Sequence, residues 1–243
     1  MWRVMAISFL AGMSTPVGGW IVLRFKHLAT RTLALFLGLA AGVMVTVVIT
    51  ELMPASIRSG GRSLFLTGAA SGWLFMWVVR MVLVRLMKQR APAGANHTFL
   101  QMGWFIAIAI ALHDIPEGLA IGAGNAVEEG LGLLIALAIA LHNIPEGMSI
   151  AAPLRLGGVK RSTILVITAA TGLVTPIGTA VSLWLFSVSS LFVALSLAFA
   201  SGAMTFVVAN DIFPEALQQS LLYTAVGMAL GTGSMVAMAA MHP

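Results

Sequence analysis

Eight apolar runs of about 20 residues, parted by short polar breaks, fill almost the whole chain. They lie at about 4–23, 32–55, 63–84, 99–123, 131–153, 163–186, 191–214 and 220–241. At a helical rise of about 1.5 Å per residue, each can cross a hydrocarbon core of about 30 Å. Lipid offers no partner for a bare backbone amide, and a helix satisfies its amides internally. The expected fold is therefore an all-α polytopic membrane protein with eight transmembrane helices. Charge agrees, since only 9% of residues carry one, against about 25% in soluble domains. Disorder and an ordinary soluble enzyme are excluded. The absence of Cys rules out disulfides and thiolate metal sites.

Basic residues orient the helices. Arg24, Lys26, Arg31, Arg85, Lys88, Arg90, Arg155, Lys160 and Arg161 fall on one side, and Arg3, Arg58 and Arg62 on the other, with Glu128 and Glu129. The first side is then cytoplasmic, Arg80 snorkels toward it, and both termini face outward. The net charge of +5 reflects this bias, and no nucleic-acid partner is expected. An apolar core of about 20 residues is too long for a signal peptide, so the first run is expected to be retained.

Two repeats organise the sequence. At a spacing of 160, Gly12-x-x-Thr15-Pro16-x-Gly18 recurs as Gly172-x-x-Thr175-Pro176-x-Gly178, and Glu51-x-x-Pro54 recurs as Asp211-x-x-Pro214. A shift of five helices makes the copies enter from opposite faces, an inverted repeat of the kind found in alternating-access transporters. The expected organisation is repeat one over 1–88, a central helix pair over 99–153, and repeat two over 163–241, in a 3+2+3 plan. The central pair carries the second repeat: AIAIALHDIPEG at 107–118 matches ALAIALHNIPEG at 136–147 in all but two positions.

This motif concentrates the chemistry. His113 and Glu117 stand four residues apart on one helical face, and His142 and Glu146 repeat this on the facing helix. Asp114 and Asn143 follow the histidines. Pro116 and Pro145 cannot donate to the carbonyls of Leu112 and Leu141. By helix rise His113 lies about 21 Å and His142 about 16 Å into the membrane, near the midplane. A carboxylate there costs at least about 2.5 to 3.5 kcal/mol, so three acids at one depth call for a compensating cation. Two imidazoles with carboxylates suit Zn²⁺, Fe²⁺, Mn²⁺, Co²⁺ or Cd²⁺ better than Mg²⁺ or Ca²⁺. Ligand imidazoles must be neutral, so low pH weakens metal occupancy. Glu51 toward the outer face and Asp211 toward the cytoplasmic face mark a way in and a way out, with Asn210 beside Asp211. Glu215 reads as an interfacial charge, and His27 and His242 as surface residues. The alternatives are a buried His–Glu proton relay, a proton or monovalent-cation channel, and a membrane di-iron enzyme. The last typically uses Glu-x-x-His pairs and more histidines than this motif has.

His-Asp/Asn-x-Pro-Glu-Gly on two adjacent helices, with Glu51-Leu-Met-Pro in helix 2, resembles the ZIP family of divalent-metal transporters, in particular bacterial members with a short central loop. The resemblance spans essentially the whole chain. It implies eight helices in a 3+2+3 arrangement, outward termini in the bacterial inner membrane, divalent metal uptake into the cytoplasm, and a homodimer. By motif, it makes His113, Glu117, His142 and Glu146 a primary metal site. Asp114 and Asn143 belong to a second metal position bridged by Glu117 and Glu146. Many members have Asn where this chain has Asp114. In helix 6 the family often has Glu where this chain has Thr175, so a hydroxyl replaces an anionic ligand of the second position. The loop before helix 4 keeps only His97 of a tract that is often histidine-rich.

Overall fold

The computed structural model describes residues 1–25, 29–88, 95–127, 129–184 and 190–241. Lys26, His27, Arg90, Glu128 and His242 lie outside the described residues, as do the side chains of Lys88, His97 and Glu129 and most of the break at 187–190. The described chain is all helix, with short turns between elements. Among the described residues six stretches are long and apolar enough to cross a membrane: Trp2–Arg24, Thr30–Val82, Thr98–Gly122, Ile135–Leu156, Arg161–Trp184 and Leu191–Gln219; Leu221–Ala237 is shorter. The exterior is apolar, with Trp184 83% and Leu221 71% exposed, while Ser8, Thr15, Thr168 and Thr179 are fully buried. In water such a surface would aggregate; in a bilayer the lipid solvates it. This is an integral membrane protein.

Several expected breaks are smaller in the structure than the polarity of the sequence suggests. In repeat one the elements are α1 (Trp2–Gly12), α2 (Ser14–Arg24), α3 (Thr30–Val47) and α4 (Met53–Lys88). The expected break over 56–62 shrinks to one residue, Gly61, whose φ of 79° is left-handed and suits the residue without a Cβ. The central elements are α5 (Ala95–Val127) and α6 (Glu129–Leu156), followed by α7 (Arg161–Gly172), α8 (Val174–Trp184), α9 (Ser190–Val207), α10 (Phe213–Gln219) and α11 (Leu221–Met241).

The 160-residue repeat is written into the backbone. α1 and α2 part at Met13, and α7 and α8 part at Leu173. The cause is local: Pro16 and Pro176 have no N–H to donate to the carbonyls of Gly12 and Gly172. Those two glycines meet, and a methyl group on either would strike the other's carbonyl oxygen. A single π-helical turn follows α3 at Val48–Leu52, and another follows α9 at Val208–Ile212. In each, the residue before the proline donates five residues back, Met53 to the Val48 carbonyl and Phe213 to the Val208 carbonyl. The prolines at 54 and 214 then sit where a missing N–H does least harm.

Packing follows the same symmetry. α4 lies along α9 and α3 along α11, while α5 packs on α8 and α6 on α2. The long contacts use small residues, which let backbones approach where the hydrophobic effect gives no drive. Gly38-x-x-x-Gly42 of α3 faces the backbone of Thr224 and Met228 in α11. Gly227-x-x-x-Gly231 of α11 faces Leu35 and Leu39 in return. α5 and α6 are thereby held at the centre, each clamped by one repeat.

Candidate metal centre

The twin motif sits where α5 and α6 face each other, and all six of its polar residues are buried: His113, Asp114, Glu117, His142, Asn143 and Glu146. Two glycines one residue past the glutamates explain how the helices come so close to their clamps. A methyl group on Gly118 would overlap the carbonyl oxygen of Thr175 in α8, and one on Gly147 that of Thr15 in α2. Each motif helix is therefore seated on the proline break of one repeat.

The strongest contacts run between helices. His113 Nε2 lies 3.2 Å from Glu146 Oε1, and His142 Nε2 lies 3.0 Å from Glu117 Oε1. Within α5 the i, i+4 pair is looser, with His113 Nε2 at 4.0 Å from Glu117 Oε1. An antiparallel pairing of two His-x-x-x-Glu segments produces this, because each histidine meets the other helix's glutamate. Asp114 Oδ1 is 3.6 Å from His113 Nε2. Possible ligand atoms of His113, Asp114 and Glu146 all lie within 4.8 Å of one another, with Glu117 at the edge of this group.

Hydrogen bonding leaves the cluster unbalanced. His113 Nδ1 lies 3.2 Å from the carbonyl oxygen of Ala109, one turn back in α5. A carbonyl only accepts, so Nδ1 carries the proton in that bond. Nε2 of His113 therefore meets the Glu146 carboxylate either with a proton of its own or, when the ring is neutral, with a cation between them. Both oxygens of Asp114, Oε2 of Glu117 and Glu146, Nδ1 of His142 and Oδ1 of Asn143 have no hydrogen-bond partner. Left unsatisfied, each would cost about 1 to 3 kcal/mol. Six of them would rival the whole net stability of a domain, about 5 to 15 kcal/mol.

Asn143 and Asp114, equivalent in the repeat, diverge. The Asn143 amide donates to the Ala11 carbonyl at 3.2 Å, bracing α6 against the end of α1. A carboxylate at the equivalent place cannot donate to a carbonyl, and Asp114 keeps its oxygens within the cluster. Thr175 is fully buried with its hydroxyl unpartnered, and its carbonyl lies against Gly118. Thr15 has the same environment against Gly147. The repeat pairs Thr15 with Thr175, and the structure gives both the same place beside a motif glycine.

Two further acids, Glu51 and Asp211, sit on the two π turns. Glu51 is half-buried and lies within electrostatic range of His142 and Glu117. Asp211 instead pairs with Arg80 of α4, whose Nε is 3.2 Å from Oδ1. Asn210 donates to the Phe206 carbonyl at 2.9 Å and, with Asp211, lines a cleft of about 200 Å³. Glu215 also lines it and accepts a hydrogen bond from Gln219. Arg80 snorkelling to open solvent is thus only half the picture: it is 43% exposed and bound to an acid that is 10% exposed.

Known sequences resemble this chain over most of its length. The family model described as ZIP Zinc transporter matches residues 86–239. The zinc transporter ZupT of Chlorobium limicola is 32% identical, covering 96% of this chain and 96% of that protein. The zinc transporter GufA of Myxococcus xanthus is 31% identical, over 86% of each chain. ZupT of Corynebacterium glutamicum is 30% identical, over 90% of this chain and 91% of its own length. With near full-length likeness to such proteins, and twin His-x-x-Pro-Glu-Gly segments closed into one buried cluster, this chain belongs to the ZIP zinc transporter family.

Proposed function

We propose that the protein carries Zn²⁺, or a similar first-row divalent cation, across the membrane into the cytoplasm through the α5–α6 cluster. One observation supports this above the rest. Two buried imidazoles face two carboxylates across the helix pair, and carboxylate oxygens of Asp114, Glu117 and Glu146 beside them lack partners, a nitrogen and oxygen donor set of the kind that holds a divalent cation. The curated relatives are named zinc transporters, not enzymes, which favours Zn²⁺ among the metals that a nitrogen and oxygen site accepts.

His113, Glu117, His142 and Glu146 form the primary site in this reading. Asp114 and Asn143 contribute to a second position, bridged by Glu117 and Glu146, in which the hydroxyl of Thr175 stands where the family often has a glutamate. The cation comes in past Glu51, exchanges water for the four ligands, and leaves past Asp211 beside Asn210. Eight crossings fit the helices: Thr30–Val82 at 53 residues would span about 80 Å as one rod, so it accommodates two crossings, and Leu221–Ala237 supplies another. Helices 1–3 and 6–8 then form the inverted repeats around the 4–5 hairpin, with both termini outside and the basic loops inside. Rocking of the repeats against the hairpin alternates access. Residence in a bacterial inner membrane and pairing of two copies rest on the family resemblance.

Tracer Zn²⁺ uptake into proteoliposomes tests the proposal. Wild-type protein takes up Zn²⁺, and the Glu117→Ala, Glu146→Ala double variant does not. Unchanged uptake by that variant would sink the reading.

A further inference from the structure

The two halves of the molecule treat their pathway acids differently, and the difference comes from one arginine. Glu51 and Asp211 occupy equivalent places on equivalent π turns, Val48–Leu52 and Val208–Ile212. Glu51 lies within electrostatic range of His142 and Glu117. Asp211 is held by the Arg80 guanidinium at 3.2 Å. The residue 160 positions after Arg80 is Ala240, so the repeat supplies no matching cation to the first half.

Arg80 also sits in a telling place. It stands in α4, which packs along α9, and reaches across to the turn that follows α9. Together with Asp211, Asn210 and Gln101 it lines the cleft of about 200 Å³. Asp211 Oδ1 takes the guanidinium while Oδ2 is buried and has no partner. One carboxylate oxygen is therefore engaged by a tethered cation, and the other remains open. A divalent cation has twice the charge and, unlike a side chain, is free to move on.

We propose that Arg80 is a positioning residue that occupies Asp211 in place of the transported cation and must be displaced for the cation to pass into the cleft. The tethered guanidinium keeps the acid neutralised between cycles, and it competes with the cation for that acid. It thus sets how fast the cation is handed on, not how tightly the buried cluster binds. The proposal rests on the transport reading above.

The test is initial-rate Zn²⁺ uptake in proteoliposomes by wild type, Arg80→Gln, Asp211→Asn and the double variant, with orientation and protein amount matched. Partly exposed ion pairs are worth factors of about two to five, so Arg80→Gln should raise the maximal rate by about that much. The half-saturating Zn²⁺ concentration should stay unchanged. Asp211→Asn should slow uptake, and adding Arg80→Gln to it should change nothing further, because the competitor's target is gone. A merely structural ion pair predicts the reverse: Arg80→Gln lowers both thermal stability and uptake. Uptake by Arg80→Gln at or below wild type overturns the proposal, as does an equal acceleration in the Asp211→Asn background. If Arg80→Gln fails to fold, Arg80→Lys replaces it and should give the same ordering at smaller amplitude. Absence of uptake by the wild type would count against the transport reading itself, a distinct result.

Discussion

His142 Nε2 stands 3.0 Å from Glu117 Oε1 across the α5–α6 interface, closer than the i, i+4 approach of His113 to Glu117 at 4.0 Å. The closest pairings in the cluster thus join a histidine of one helix with a glutamate of the other. Replacing His142 by Ala removes one nitrogen ligand and leaves the Glu117 carboxylate buried. Zn²⁺ affinity should fall at least about tenfold, which corresponds to about 1.4 kcal/mol. Calorimetric titration of the purified protein reads it directly. Equal affinity for wild type and variant would remove His142 from the site.

Asp114 offers a charge-specific test. Its two oxygens have no hydrogen-bond partner, whereas Asn143 at the equivalent place donates to the Ala11 carbonyl. Asp114→Asn should keep or raise the thermal midpoint, since an amide can satisfy acceptors that a carboxylate cannot. It should also weaken divalent-cation binding, since one negative charge leaves the cluster. A variant that melts lower and binds as tightly would contradict both halves of this account.

The glycine contacts predict where volume is forbidden. Gly118→Ala and Gly147→Ala would drive a methyl group into the carbonyls of Thr175 and Thr15. Overpacking of this kind costs about 1 to 3 kcal/mol or more, and it would push each motif helix off its clamp. Gly233→Ala has nothing within 4 Å to meet and should be neutral or slightly stabilising, as Ala outranks Gly in a helix by about 1 kcal/mol. Thermal unfolding of the three variants in one detergent gives the order. Similar midpoints for all three would mean that the close approach is not under tension.

The π turns make a conformational prediction. Pro54 follows Met53, whose amide bonds five residues back to Val48. Pro54→Ala restores a donor and allows a regular α turn, which would rotate Glu51 by about 100° relative to the cluster. Uptake should fall while the protein stays folded. Uptake at the wild-type rate would show that the orientation of Glu51 does not matter to the route.

Much was legible in the chain because lipid makes the rules simple. A backbone that must satisfy itself forms helices, and a carboxylate at the midplane must have a partner. The twin motif could therefore be marked as one site. The depth of the breaks was less legible. The polar run at 56–62 holds Ser56, Arg58 and Arg62 and reads as a loop. Yet Ser56 is buried and bonds the Ala194 carbonyl at 2.8 Å, and helix continues on both sides of Gly61. Ser56 there makes a contact with α9, while Arg58 and Arg62 stay exposed beside the Gly61 kink. Thr15, a lone hydroxyl beside a proline, carries no local signal in the sequence. Its interest appears only when α2 meets Gly147.

By itself the sequence determined what had to be buried and what had to be helical: the apolar runs, the prolines that break them at a constant interval, and a polar set too costly for lipid without a cation. Tertiary structure alone decided the partners. Which glutamate meets which histidine depends on the register of two antiparallel helices. That register is set by two glycines touching the carbonyls of Thr15 and Thr175, atoms far away in sequence. Arg80 binding Asp211 belongs to the same class, for it depends on how α4 lies along α9. Composition and spacing constrain each helix separately; only close packing converts two equivalent acids, Glu51 and Asp211, into one within electrostatic range of the site and one held by an arginine.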